Sequence, residues 1–383
     1  TGDAQRIWGV PVCVRYGTAD GSKVSCEMLD KATGSMELAG ASNPTWVMPN
    51  ANASGYYRFS LGKDGVAGLV KQVGKLSDAE QLAYADAVNA SFRHGDLDAG
   101  DVLIALKPLT ASKIREVATA PLEQVGWIYR NEAVTDAQRA RLAAWAKDAY
   151  LPRLQQLGYQ RKAGEPEDNS LMRSELASSL AFGFKLPEVR AALLKQGEAA
   201  LKPKADGRLN LAAADPDLLG DALGMAVQEH GKSAVDALIA ELPKTSDPAL
   251  RNGILGGLAS VEDPALTEQV RNFALTKPVK VGEMAMLLRA GRETAVQRDA
   301  MWTWFTAHYQ QILGRTGSFS GGRLPSLAAG GSCTTAEGDR LQAFFKPRLK
   351  DAAGIDRGLA QTSESIQLCS ALKTKQDAGA ILR

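Results

Sequence analysis

Apolar positions change their period once along this chain, and the change divides it into two architectures. From Trp8 to Tyr16 they alternate as Trp8, Val10, Val12, Val14 and Tyr16, the two-residue period of a strand with one face buried. Val24, Cys26 and Met28 continue the alternation. Turn chemistry at Asp20-Gly21-Ser22, Thr33-Gly34-Ser35, Ser42-Asn43-Pro44 and Ala53-Ser54-Gly55 recurs about every ten residues, the spacing of an antiparallel sandwich. Residues 1–70 are therefore expected to form a small β-sandwich domain. A module of that size has a marginal core and leans on a neighbouring surface.

Beyond Leu76 the period is helical. Ser77-Asp78-Ala79-Glu80 is a capping box, and Leu82, Ala85, Val88, Ala90 and Phe92 follow mainly along one stripe, which predicts a helix over about 78–93. Asp215-Pro216, Ser246-Asp247-Pro248 and Asp263-Pro264 each place a cap residue before a proline at the first helical position, where the missing amide is harmless; each is expected to open a helix of about three turns. Their recurrence suggests stacked hairpins of HEAT or armadillo type, an all-α superhelical domain over residues 71–383. Stacks of that kind curve and make concave surfaces.

Composition narrows the classes of partner. The 45 Lys+Arg against 43 Asp+Glu leave a net charge of +2, too little for the electrostatic footprint of a nucleic-acid binder. At 383 residues the chain is long enough for two domains or a repeat array. No window approaches the roughly 18 uninterrupted apolar residues of a membrane span. Thr1-Gly2-Asp3 has neither a basic nor an apolar leader pattern, so an exported parent is expected to carry its signal upstream.

Catalytic constellations are scarce. His94, His230 and His308 are scattered and none has a second histidine four residues on, so helical spacing assembles no metal site. His94 and His230 each precede a glycine, as histidines at helix C-termini do. Ala226-Val-Gln-Glu-His-Gly231-Lys232-Ser233 loosely matches a phosphate-binding loop, but Leu218, Leu219, Ala222, Leu223, Ala226 and Val227 give it a helical approach where that loop needs a strand. Gly231 and Ser233 read instead as the end of one helix and the N-cap of the next. Trp302, Trp304, Phe305 and Tyr309 could line a ligand box, yet Met301, Trp304, Phe305 and His308 share one helical face, which favours a core role.

Trp46-Val-Met-Pro-Asn50 followed by Gly55-Tyr-Tyr-Arg-Phe59, with Ile7-Trp-Gly-Val-Pro-Val12 ahead of them and some 300 residues of helix behind, resembles the C-terminal half of the aminopeptidase N-type zinc aminopeptidases of the gluzincin family. Cys333, Phe344-Phe345, Arg357-Gly-Leu-Ala-Gln361, Glu364, Ile366 and Cys369 are similar to the final helical hairpin of bacterial members. The resemblance spans nearly all of the chain. It implies a β-sandwich handing over to a helical domain that walls and caps an active-site chamber and limits access, in an enzyme that removes N-terminal residues from peptides. The family's zinc-binding H-E-x-x-H with its downstream Glu, and its amine-gripping G-x-M-E-N loop, do not occur here. Zinc and catalysis are thus assigned to a domain absent from this chain, which alone is expected to be inactive, with the parent's N-terminal and catalytic domains and peptide substrates as its partners. Relatives use basic residues of this domain to hold acidic groups or a peptide carboxylate; Arg298, Arg323 and Arg357 are the candidate concave-face cations, with an ordinary surface or ion-pair role as the alternative. The rival class is a stand-alone helical-repeat interaction scaffold with an appended sandwich.

Cysteines fall as two local pairs. Cys13 and Cys26 flank Thr18-Ala-Asp-Gly21 symmetrically, so a hairpin centred there sets them opposite one another, within disulfide reach. Cys333 and Cys369 bracket the terminal hairpin, where the resemblance implies a bridge in extracellular relatives. Even number and local pairing favour a periplasmic or extracellular setting over buried free thiols in the cytoplasm.

Overall fold

A computed structural model of the chain describes residues 7–41 and 44–382. Ser42 and Asn43 of one expected turn, and the Thr1-Gly2-Asp3 start, lie outside the described residues. The chain falls into two compact units, one of Thr1–Tyr150 with Lys375–Arg383 and one of Leu151–Thr374. The change from strand to helix expected at residue 70 lies inside the first unit.

In the first unit, β1 (Val10–Thr18), β2 (Gly21–Leu29) and β3 (Val47–Met48) form one antiparallel sheet in the order β2-β1-β3. The β3 strand pairs only with Arg15 and Tyr16. Since the Gly17 amide donates to the Trp46 carbonyl at 3.1 Å, the odd-numbered residues of β1 turn their backbone groups to that side. Pro11 belongs to this set but lies beyond β3, where its missing amide breaks no ladder bond.

Of the two-layered sandwich expected here, the described residues show one three-stranded sheet. Residues 57–61 belong to no strand, and α1 (Gly62–Val70) occupies the end of the stretch assigned to strands. Val66 and Leu69 of α1 and Val73 of the turn after it are buried. Next come α2 (Asp78–His94), α3 (Ala99–Leu106), α4 (Arg115–Asn131) and α5 (Asp136–Leu157), the last running on into the second unit. The α2 capping box is formed as its sequence specifies, the Ser77 hydroxyl accepting from the Glu80 amide. The C-terminal residues return to this unit: Gln376 donates to the carbonyls of Phe92 and Leu97, and Ala380 and Ile381 are fully buried. A Cβ at Gly100 would stand 2.6 Å from the Ala380 carbonyl oxygen, so only glycine admits this tail.

The second unit is helical among the described residues apart from an isolated antiparallel bridge between Pro203 and Leu209, with α6 (Glu167–Ser178), α7 (Pro187–Leu201), α8 (Leu219–His230), α9 (Lys232–Glu241), α10 (Pro248–Ala259), α11 (Pro264–Ala274) and α12 (Val281–Leu287). It continues through α13 (Ala295–Ala307), α14 (Tyr309–Thr316), α15 (Leu324–Ala329), α16 (Thr335–Phe345) and α17 (Ile355–Lys375), whose final residue belongs to the first unit. One row packs α7 on α8, α8 on α10 and α10 on α12; a second packs α9 on α11 and α11 on α13. Gly197 makes the first of these contacts possible, because a Cβ there would overlap the Ala222 carbonyl oxygen at 2.0 Å. Leu223, Leu238, Ile254, Leu258, Met301 and Phe305 belong to the one core that runs through both rows.

Asp247 and Asp263 cap α10 and α11 from before their prolines. Asp215 does not cap a helix. Its buried carboxylate accepts from the amides of Arg161 and Asp217, which holds a turn, and the helix begins only at Leu219. Ser233 is likewise not an N-cap, since α9 starts at Lys232 directly after Gly231.

Candidate functional site

The Trp46–Phe59 segment is held by a carboxylate that its own sequence does not contain. Glu80, on the first turn of α2, is completely buried. It accepts from the Arg15 guanidinium through Nε at 2.9 Å and again through Nη2, from the Ser77 amide at 2.9 Å and from the Asn52 amide at 3.0 Å. A buried carboxylate with one guanidinium and two amides around it is fully satisfied. Three pieces of chain thus meet at one residue, β1, the start of α2 and the turn at Asn52 with its φ of 54°, and the Trp46 ring lies 5.8 Å from the Arg15 guanidinium.

Asn50 closes the same loop, its side chain donating to the Gly55 carbonyl at 2.8 Å and accepting from the Gly55 amide at 2.9 Å. The Tyr57 hydroxyl donates to the Pro49 carbonyl at 2.6 Å; burial raises its pKa, opposed by a hydrogen bond with the Cys13 backbone. Tyr56 stands fully in solvent, and Arg58 pairs with Asp86 on the surface. Between them a cleft of ≈ 650 Å³ is lined by Asn50, Gly55, Tyr56, Arg58, Leu82 and Asp86. It offers apolar contact and one exposed ion pair.

Of the three arginines singled out in the sequence, Arg298 is committed elsewhere. Its Nε donates to Glu337 at 2.8 Å and its Nη1 to the Glu293 carbonyl. Burial alone would raise the pKa of Glu337, but Arg298, the Cys333 amide and the Thr334 hydroxyl outweigh it and bring it to about 2. Arg323 and Arg357 are exposed and make no ion pair among the described residues. They flank the close approach of Gly322 to Gly358.

Sequence reasoning missed a set of buried and half-buried arginines that serve helix ends. Arg251 donates to the carbonyls of Leu242, Thr245 and Pro278 and pairs with Glu283. Arg271 donates to Ala290 and Gly291, Arg292 to Ser326 and Leu327, and Arg315 to Leu275 and Val279. Each supplies donors to carbonyls left over where a helix ends. Arg271 and Arg292 make no ion pair among the described residues; burial lowers both to about 10, with neighbouring arginines adding to the effect at Arg292. Only the i, i+3 or i, i+4 apolar pattern around these residues hinted at burial, since nothing local tells an inward arginine from an outward one.

The histidines are separately engaged. His94 hydrogen-bonds Asp96, His230 meets Glu198, and His308 contacts the Trp304 carbonyl and stacks on its ring. Among the described residues no group of three or more His, Cys, Asp or Glu could hold a metal ion. The aromatic cluster is closed by its own cations: Arg340 lies over Trp302, and Arg348 over Phe344 and Tyr309. Disulfides join Cys13 to Cys26, directly opposite in the β1–β2 register, and Cys333 to Cys369, which ties the turn before α16 to α17.

The ERAP1-like C-terminal domain model matches residues 46–368. Aminopeptidase M1-A of Oryza sativa subsp. japonica is 25% identical over 347 residues, covering 84% of this chain and 36% of its own length. Aminopeptidase M1 of Arabidopsis thaliana is 22% identical over 358 residues, covering 88% of this chain and 38% of its own. The chain therefore spans well under half the length of these curated relatives.

Proposed function

Because the chain belongs to the ERAP1-like C-terminal domain family, we propose that it is the C-terminal region of a zinc-dependent aminopeptidase and walls and caps the chamber in which that enzyme removes N-terminal residues from peptides. The observation that carries this reading is the match of both aminopeptidase relatives across more than four-fifths of the chain. Zinc would supply carbonyl polarisation and an activated water in the enzyme's catalytic domain. The part of the residues described here is mechanical: inward arginines lock helix ends, and Glu80 locks the sheet to α2. In the longer protein the three-stranded sheet is read as part of a β-sandwich and the paired helices as turns of a superhelix. The two disulfides support a periplasmic or extracellular enzyme.

The test joins sequence to chemistry. Reading the gene upstream of Thr1 should give H-E-x-x-H within a few hundred residues; a start codon there instead favours the stand-alone scaffold. The chain alone should bind no stoichiometric zinc and turn over no fluorogenic aminoacyl amide. One tightly held zinc per chain, or chelator-sensitive turnover that co-purifies with it, would overturn the proposal.

A further inference from the structure

The cleft between the Tyr56–Arg58 stretch and α2 combines preformed apolar walls with two charges that are cheap to recruit. Ala79, Leu82, Ala83 and Asp86 recur at helical spacing, so they form one stripe of α2, and all four line the cleft. The two alanines leave room, and Leu82 is exposed although it is apolar. Tyr56, fully exposed, supplies an aromatic wall. The loop that leads to it is fixed, because Asn50 bonds both backbone groups of Gly55 and Tyr57 bonds the Pro49 carbonyl. A wall fixed in this way costs a ligand little ordering. Also in the lining, Arg58 Nε donates to Asp86 Oδ2 at 2.9 Å and Nη2 to Oδ1 at 3.3 Å. The two side chains are 72% and 51% exposed, so their pairing contributes little to folding. Nor does it exhaust either partner: Nη1 is uncommitted among the described residues, and a carboxylate offers about four lone-pair sites. A cation and an anion thus lie in contact beside an aromatic ring and a leucine, each able to take one more ion.

We propose that this cleft binds a free α-amino acid with an apolar side chain, Arg58 taking its carboxylate, Asp86 its ammonium, and Tyr56 and Leu82 its side chain. Both charges of such a ligand sit on one carbon, which suits a guanidinium and a carboxylate already in contact. A peptide separates its two termini and cannot meet both groups, a hydrocarbon leaves the ion pair unused, and a polyanion is repelled by Asp86. A second cleft, lined by Lys195, Glu198, Lys202 and His230 among others, has no aromatic wall and more cations than carboxylates, which makes it the comparison site. The cleft at Tyr56 stands on its own geometry and needs nothing of the aminopeptidase reading. In such an enzyme its ligand is also what the reaction releases.

Titration of L-leucine into the isotope-labelled chain tests this by nuclear magnetic resonance, read at the Arg58 Nε–H and the Tyr56 amide. Both resonances should shift with a Kd of about 1 mM, the range open to a ligand of so few atoms. N-acetyl-leucine and leucine amide, each short of one charge, should bind about tenfold more weakly, and so should glycine, which lacks the side chain. Arg58→Gln and Asp86→Asn, read at Tyr56, should each weaken leucine binding about tenfold at an unchanged melting temperature, since both side chains are exposed. No shift at about ten times the expected Kd overturns the proposal. Equal affinities for leucine and N-acetyl-leucine overturn it too, marking an apolar patch alone. Larger shifts around His230 than around Tyr56 do the same, in favour of unselective binding of charge. Peptide turnover by the longer protein is a separate measurement. Leucine binding by a chain whose longer protein hydrolyses no peptide sinks the enzyme reading alone, and the reverse result sinks this site alone.

Discussion

Replacing Glu337 by Gln removes one negative charge from the end of α16 and little else in shape. The native carboxylate accepts from Arg298 Nε at 2.8 Å, the Cys333 amide at 2.9 Å and the Thr334 hydroxyl at 2.8 Å, and both members of the ion pair are largely buried. Its pKa falls from the ordinary 4.5 to about 2, which corresponds to about 3 kcal/mol of stability at neutral pH. The sign follows from the depression: this contribution is complete above about pH 4.5 and drains away as pH falls toward 2. Glu337→Gln should therefore lower the stability of the second unit by about 3 kcal/mol at pH 7, and wild type and variant should converge in acid. Hydrogen exchange is the assay of choice, because two units need not unfold together. Protection of α16 amides should drop by about two decades at pH 7. Adding Arg298→Met should cost much less than it does in wild type, since the pair acts as one element. A loss below about 1 kcal/mol, or one of equal size at pH 7 and pH 3, would refute the electrostatic reasoning.

The carboxylate of Asp221 has the opposite sign: burial, opposed by the Ser178 hydroxyl, raises its pKa from 3.8 to about 6. The folded state thus favours the protonated form, and the stability it contributes is lost as pH rises through about 6. Asp221→Asn should stabilise the protein by up to about 3 kcal/mol at pH 8 and hardly at all at pH 4 in denaturant titrations; a destabilised variant at pH 8 contradicts this. Glu80→Ala strands Arg15 and two amides in the interior and should cost about 3–5 kcal/mol, seen as early proteolysis at Arg58, whereas unchanged cleavage would deny the hub. Truncation after Thr374 uncovers the pocket of Ile381 and should lower the first unit's stability by about 3 kcal/mol, an unchanged melting temperature being the contrary result. Thiol alkylation of native, unreduced protein should label none of the four cysteines, and Cys369→Ser should cost up to about 4 kcal/mol for a bridge spanning 36 residues.

Sequence alone determined what is decided within a turn or two of chain. The Ser77–Glu80 box, the Asp247 and Asp263 caps and the β1–β2 hairpin are legible because their partners lie three to thirteen residues apart. The family likeness was legible for a similar reason, being carried by short runs around Trp46 and Gly55. Tertiary structure decided the rest. That Glu80 would receive Arg15 from 65 residues away, that Arg298 would be spent on Glu337 and that the last residues would return to α3 are outcomes of long-range closure. The number of strands belongs with them. Alternation shows that a face is to be buried, but the layer that buries it is supplied from elsewhere in space, so β2 carries the pattern of a covered strand while Val24 and Met28 stand in water. Local periodicity records which side chains avoid solvent; which surface removes it is set by contacts whose entropy of closure no local pattern encodes.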